Sequence, residues 1–499
     1  MDHTPNADLP VAVIGAGPIG LAAAAHLAER GLPFVVLEAG GLPGASVRQW
    51  GHVRLFSPWR YNTDTAARRL LTIAGWTPPA PDELPTGAEI ADGYLRPLAE
   101  LPDIAPHIRY QACVSAISSL NVDRMRTARR EAAPFVIRLE DGTEILARAV
   151  IDASGTWTTP NVLGANGLPA RGERETAPWI DHALPDVLGA DRQYYAGRHT
   201  IVLGAGHSAA TTLLALSELV DQVPGTRVTW AIRADDPDRA YGGEGDDALP
   251  ARGSLGSGLR LLVDKGLVDL AAGFTVHAVR PLAASPAEGG LEVVSRQADG
   301  TEQVIVVDRI VAATGYRPDH SIAGELRLDL DAILGTTRLL APLIDPNAHS
   351  CGTVRPHGVD ELTHSEPDYY VIGMKSYGRA PTFLMATGYE QARSVVAALA
   401  GDWAAARDVQ LELPETGVCS ATLGVRAIAE SFGLAPDMPA KLIAATTRHL
   451  SEHTSPADAV LAAANELGIE SAAALRLAAF TAEQFGGATA TTTPEGSAV

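Results

Sequence analysis

Residues Val11–Glu38 read VAVIGAGPIGLAAAAHLAERGLPFVVLE. Val11–Ile14 is a short apolar run of strand length, and an alanine-rich helix is predicted from Pro18 to Arg30, ended by Gly31. Phe34–Leu37 is a second buried strand. Between the first strand and the helix lies G-x-G-x-x-G at Gly15, Gly17 and Gly20. The three glycines serve a tight turn, close backbone approach to a pyrophosphate, and close packing of helix on strand. The helix that Pro18 opens then turns free N–H groups and a positive dipole end toward phosphate. Glu38 closes the second strand, where a carboxylate accepts hydrogen bonds from a ribose diol and repels a 2′-phosphate. Strand, glycine loop, helix, strand and acid fall in register, which a bare glycine triplet does not require.

A second unit of this kind begins near residue 200. Thr200–Leu203 (TIVL) precedes GAGHSA, with Gly204, Gly206 and Ala209 at the motif positions. Alanine at the third still permits tight helix–strand packing. Ser208 falls in the first helical turn, where its hydroxyl caps the helix or touches phosphate. The helix continues through Thr211 to Val220, and Val228–Ile232 (VTWAI) is the next strand. Arg233 follows it in place of an acid. An arginine there pairs with a 2′-phosphate and favours NADPH over NADH, the alternative being a solvated arginine. Arg239 is a second candidate, and His207 receives no role. One site with an acid and one with an arginine point to FAD and NADPH, an electron relay in which hydride passes from nicotinamide to flavin.

Composition narrows the reading further. The 499 residues carry 39 basic and 59 acidic side chains, a net charge of −20, which argues against a nucleic-acid or anionic-membrane binder. Cys113, Cys351 and Cys419 form no CxxC and no metal-ligand spacing, so no metal site is expected. A sparse, odd set of thiols fits a reducing cytoplasm. Lysine occurs only at Lys265, Lys375 and Lys441, a bias that suggests a GC-rich bacterial genome. The apolar Val11–Ala28 run lacks a positive leader and is broken by its glycines, so it reads as a fold element in a soluble chain and not as a signal or anchor.

With both motifs in hand, the chain resembles the two-dinucleotide-domain flavoproteins, especially flavin-containing and N-hydroxylating monooxygenases, and more distantly thioredoxin reductases. The resemblance spans Val11 to Asp402. Beyond the glycine motifs it rests on two strand-end motifs, IDASGTW (Ile151–Trp157) and VAATGYRPD (Val311–Asp319), and on TFLMATGYEQARSVVAALAG (Thr382–Gly401). It implies that the strand-end motifs mark the crossings between FAD and NADPH domains. It also implies that the last helix aims its N-terminus at the flavin, and that the backbone at Val114, in QACVSAI, meets the adenine. Departures are equally informative. The lack of CxxC argues against a disulfide reductase of the thioredoxin-reductase type. The F-x-G-x-x-x-H of Baeyer–Villiger enzymes is reduced to His182 within APWIDHALPDV, and a Gly-Asp pair common among disulfide-reductase relatives is replaced by Gly373-Met374.

Two segments are candidates for the chemistry. RQWGHVRLFSPWRY (Arg48–Tyr61) concentrates Trp50, Phe56, Trp59 and Tyr61 among basic residues. By resemblance it walls the flavin, with Arg48 on the pyrophosphate and Trp50 near the ring; the alternative is a loop packed on the core. HSCGTVRPH (His349–His357) and GMKSYGRAPTF (Gly373–Phe383) offer Cys351 as a redox thiol, soft-element ligand or small buried side chain. They also offer Lys375 as a cation beside the reduced flavin or a solvated lysine.

The expected fold is α/β, with two Rossmann-like three-layer domains and a small C-terminal helical domain. The expected organisation is FAD-binding residues 8–165 and 319–405 around an inserted NADPH-binding domain at 166–318. A helical extension at 413–485 and a disordered tail at 486–499 follow. Asp235–Gly258, rich in Gly, Asp and Arg, reads as a mobile loop near the nicotinamide. The resemblance implies an NADPH-dependent FAD monooxygenase in which O2 adds at flavin C4a and the (hydro)peroxide passes one oxygen to a small soft nucleophile, a sulfur, nitrogen, selenium or arsenic centre. An NADPH-linked reductase serving a quinone, protein or other acceptor and a non-enzymatic redox sensor are the alternatives. A homo-oligomer stays open.

Overall fold

The structure, a computed structural model, describes residues 8–182, 184–247, 249–282, 290–297, 299–346, 356–381, 383–411, 441, 445, 449 and 456–469. The chain opens with β1 (Val11–Ile14), β2 (Phe34–Leu37) and β3 (Ile108–Arg109). An antiparallel excursion follows through β4 (Val114–Ser119), β5 (Phe135–Leu139) and β6 (Glu144–Ala147), before the chain returns as β7 (Ala149–Asp152). It then makes β8 (Ile180–His182), β9 (His199–Leu203), β10 (Arg227–Ala231) and β11 (Asp269–Ala271). A second antiparallel excursion uses β12 (Val276–Pro281), β13 (Leu291–Arg296) and β14 (Glu302–Val307) and ends in β15 (Arg309–Ala312); β16 (Tyr369–Val371) comes last.

Two five-stranded parallel sheets result, ordered β16-β7-β1-β2-β3 and β11-β10-β9-β15-β8. Read from opposite ends they are the same arrangement. A glycine-loop strand sits centrally, its βαβ partner lies on one side, and on the other lies the strand that follows a three-stranded excursion. The expected α/β class with two Rossmann-like units is what the chain adopts.

In the first sheet β1 and β7 are buried along their full length, as parallel strands covered on both faces must be. The helix Pro18–Glu29 packs there with Ala22, Ala23, Ala24 and Ala25 all fully buried. A helix enclosed on every side needs an unbroken apolar run, and alanine lets it approach both the sheet and the helix Met385–Leu399 closely.

The segment read as a mobile loop, Asp235–Gly258, is instead largely helical. It holds the helix Asp238–Tyr241, a 3₁₀ turn at Glu244–Asp246 and the start of the helix Pro250–Asp264. Two of its glycines are packing devices. A Cβ at Gly253 would lie 1.9 Å from the Glu244 carbonyl oxygen, and one at Gly256 1.8 Å from that of Tyr241. Arg252, buried, grips Asp247 with two hydrogen bonds of 2.7 and 2.8 Å.

Residues up to 411 belong to one compact unit and those from 441 onward to another. Of the expected helical extension at 413–485, the described residues include the helix Pro456–Glu466; the tail at 486–499 lies outside the described residues. Among those described, no helix is long and apolar enough to cross a membrane.

Candidate functional site

The first cradle forms where β1 ends. Gly15 takes φ +96°, and its amide donates to the Leu37 carbonyl at 2.8 Å. A Cβ at Gly20 would lie 1.9 Å from the Gly15 carbonyl oxygen, so only glycine lets the helix sit this close. Gly17 behaves differently. Its Cβ would meet nothing within 4 Å, and no side chain caps the helix that Pro18 begins. The start of this helix is therefore closed by no capping side chain and fronts open space at Gly17, the form a pyrophosphate needs.

Glu38 stands at the rim of that cradle, nearly buried, accepting hydrogen bonds from the Ala16 and Gly40 amides at 2.7 Å each. Two backbone donors fix the carboxylate, and its remaining lone pairs stay available to hydroxyl groups. The Gln111 and Ala112 amides donate to the Gly40 and Glu38 carbonyls, which brings the start of β4, and so Val114, alongside.

The second sheet repeats the design. Gly204 takes φ +133°, and its Cβ would lie 2.1 Å from the Ala313 carbonyl oxygen, just as Gly15 faces the Ala153 carbonyl at 2.9 Å. Gly206 again fronts open space, Ser208 is the second residue of the uncapped helix His207–Gln222, and Ala209 is fully buried against the sheet. Arg233 follows β10 and Ile232 and is exposed. Each glycine loop is thus backed by the alanine carbonyl of one strand-end motif.

The two strand-end motifs also meet each other. Asn161 donates from its amide to the Gly315 carbonyl at 2.9 Å and from Nδ2 to that of Thr314 at 2.9 Å. Arg317 returns bonds to the Thr159 carbonyl and to Asn161 Oδ1, each at 3.0 Å. Beside this crossing the Trp157 and Tyr316 rings stack, and Trp157 Nε1 donates to Gln49 Oε1 at 2.7 Å.

The Arg48–Tyr61 aromatics divide. Trp59 is core, Trp50 packs on Gly87, and Tyr61 lies under Arg60. Phe56 reaches across to His207 at the head of the second-motif helix, ring centroids 5.0 Å apart. Arg48 is held by the protein itself. Its guanidinium bonds Asp92 at 2.8 Å and the Pro43 carbonyl at 3.2 Å. That makes it a brace between two loops, with Asp92 as the negative partner.

Lys375 is no solvated lysine. At 2 % exposure it pairs with the fully buried Asp152, Nζ to Oδ2 at 2.7 Å. Burial pushes the Asp152 carboxyl up, but the Lys375 ammonium and the hydrogen bonds from Lys375 and Ser154 outweigh it, leaving the group below its ordinary range. Because that carboxylate offsets the ammonium, Lys375 does not present a free cation. Cys351 lies outside the described residues. Sequence reasoning assigned nothing to Asp152, Ser154 or Gln391. Gln391, on the helix Met385–Leu399, accepts from the Gly373 amide at 2.8 Å.

Residues 12–334 match the pyridine nucleotide-disulphide oxidoreductase family. Over 209 residues the chain is 30% identical to indole-3-pyruvate monooxygenase YUCCA1 of Oryza sativa subsp. japonica, covering 41% of this chain and 44% of that one. The match therefore spans less than half the length of that curated relative. Among solved structures, the bacillithiol disulfide reductase Bdr (YpdA) of Bacillus cereus covers 79% of this chain and 99% of its own, at 19% identity and a TM-score of 0.56. The FAD-bound cadaverine monooxygenase DfoA of Erwinia amylovora covers 82% and 97%, at 17% identity and a TM-score of 0.56. Both share the fold. The chain belongs to the pyridine nucleotide-disulphide oxidoreductase family.

Proposed function

We propose that this chain is an NADPH-dependent FAD monooxygenase that inserts one oxygen of O2 into a small soft nucleophile, a sulfur, nitrogen, selenium or arsenic(III) centre. The observation that carries the reading is the duplicated cradle: two uncapped helix N-termini on two matching sheets, joined where Asn161 pairs with Thr314 and Gly315. Residues 8–165 and 319–405 form the FAD lobe in this reading, and 166–318 the NADPH lobe.

Gly15, Gly17, Pro18 and Gly20 hold the FAD pyrophosphate, Glu38 the adenosine ribose, and the backbone at Val114 the adenine. Gly204, Gly206, Ser208 and Ala209 shape the NADPH cradle, and Arg233 pairs with the 2′-phosphate. Bound FAD supplies two-electron storage and the capacity to activate O2. The protein's part is to orient the two nucleotides and keep water from the reacting centre, with Trp50 and Phe56 as apolar wall. Similarity to an indole-3-pyruvate monooxygenase and the absence of CxxC support oxygenation over disulfide exchange.

A screen of sulfur, nitrogen, selenium and arsenic(III) nucleophiles under O2 tests this. A substrate should speed NADPH oxidation, suppress peroxide release and emerge one oxygen heavier. If every nucleophile yields peroxide equal to the NADPH consumed, the reading fails. The shared fold with a bacillithiol disulfide reductase favours the second reading, an NADPH-linked reductase. That reading predicts NADPH turnover with an added acceptor under anaerobic conditions.

A further inference from the structure

One buried charged cluster has no part in the chemistry proposed so far. Besides Asp152, Lys375 Nζ donates to Ser154 Oγ at 3.0 Å, and Ser154 Oγ donates to Asp152 Oδ1 at 2.6 Å. The Ser154 amide reaches the same Oδ1 at 3.1 Å, and Tyr369 donates its hydroxyl to Oδ2 at 3.1 Å. This closed ring of bonds borders the first cradle. A Cβ at Gly15 would lie 2.9 Å from the Ala153 carbonyl oxygen and 3.3 Å from Ser154 Cα. On the other side, Gly373, two residues before Lys375, takes φ +74° and packs against Ile19 in the first helical turn. The glycine loop, the Ala153–Gly155 turn and the Gly373–Tyr377 segment are three walls of one cradle, and the Lys375–Asp152 pair ties the second to the third.

We propose that Lys375 is a positioning residue of the FAD site: by compensating Asp152 it lets that carboxylate hold Ser154, and Ser154 holds the turn against Gly15. The inference rests on reading this cradle as the FAD site. A buried carboxylate stripped of its cation must recruit water or a proton, either of which displaces the serine it holds. Simple loss of packing would do neither.

The test measures FAD affinity of the full-length apoprotein by flavin fluorescence, with folding followed by circular dichroism. For Lys375→Met the dissociation constant should rise about tenfold or more near neutral pH. The deficit should shrink on acidification as a proton on Asp152, or on His320 and His364, which face it along with Asp319 near Lys375, replaces the lost cation. In Asp152→Asn/Lys375→Met the constant should return to within about threefold of wild type and lose that pH dependence. Ser154→Ala, which keeps the ion pair, should weaken FAD roughly fivefold while the apoprotein still folds, losing no more stability than one hydrogen bond supplies, and it decides the matter if Lys375→Met does not fold. Unchanged affinity in Ser154→Ala, or equal pH-independent weakness in the single and double Lys375 variants, overturns the proposal. Wild type that takes up no FAD overturns the FAD reading itself, a distinct result.

Discussion

The Trp157 indole stacks on the Tyr316 ring with centroids 4.9 Å apart and planes 25° from parallel, one ring from each strand-end motif. The contact lies where the chain leaves the first sheet and where it returns, beside the Asn161 and Arg317 bonds that join the two strand-end motifs. Hydride transfer requires the two redox rings within contact distance, and small misplacements cost rate steeply. Trp157→Ala is therefore expected to keep FAD bound while slowing flavin reduction by NADPH about tenfold or more in anaerobic stopped flow. Equal reduction rates would remove the crossing from any alignment role.

The glycines of the first loop should fail in different ways. Gly20→Ala forces a methyl to 1.9 Å from a backbone carbonyl and should cost the apoprotein on the order of 2–4 kcal/mol, read by thermal unfolding. Gly17 has φ −79° and open surroundings, so Gly17→Ala is accommodated by the fold, at less than about 1 kcal/mol. Its methyl projects into the cradle, and FAD affinity should fall instead.

Arg233 is the expected discriminator between nicotinamide cofactors. Arg233→Ala should raise the KM for NADPH roughly 10- to 100-fold, the loss of a charge-assisted phosphate contact, with NADH nearly unaffected. Equal loss for both cofactors would contradict the 2′-phosphate assignment.

Acid sensitivity follows from two histidines beside the Lys375 cluster. Burial pushes His320 down, helped by Lys375, and burial with His320 nearby lowers His364 to about 4. His364 Nδ1 accepts from the Asp329 amide, which holds that ring neutral, whereas His320 Nε2 donates to the Gly335 carbonyl, a bond that offsets part of its own downward shift. A group depressed in the folded state binds its proton more readily when unfolded. Its stabilisation is complete above the unfolded value near 6.5 and is lost as pH falls toward 4. For His364 the loss is on the order of 3 kcal/mol at most. Unfolding midpoints across this window should fall less steeply in His364→Gln than in wild type.

How much of this was legible in the sequence depends on distance along the chain. The glycine cradles are local. Strand, loop, helix and Glu38 fall within one short stretch, and each requirement leaves its mark on residue type. The Asp235–Gly258 segment misleads because Gly253 and Gly256 serve close packing, which looks the same in sequence as loop punctuation. The partnership of Asp152 with Lys375 spans 223 residues, and no local pattern separates a buried paired lysine from a solvated one. Phe56 against His207 was hidden for the same reason, each residue belonging to a different lobe. Arg48 shows the converse, since a cation near a phosphate cradle was claimed by an acid 44 positions away.

Anaerobic addition of NADPH to the purified, FAD-supplemented protein, followed by visible absorbance, bears most directly on two nucleotides held ring to ring. The yellow flavin bands should bleach on mixing with NADPH, and more slowly with NADH. A colourless protein that takes up no FAD, or a bound flavin that NADPH leaves oxidised, would contradict it.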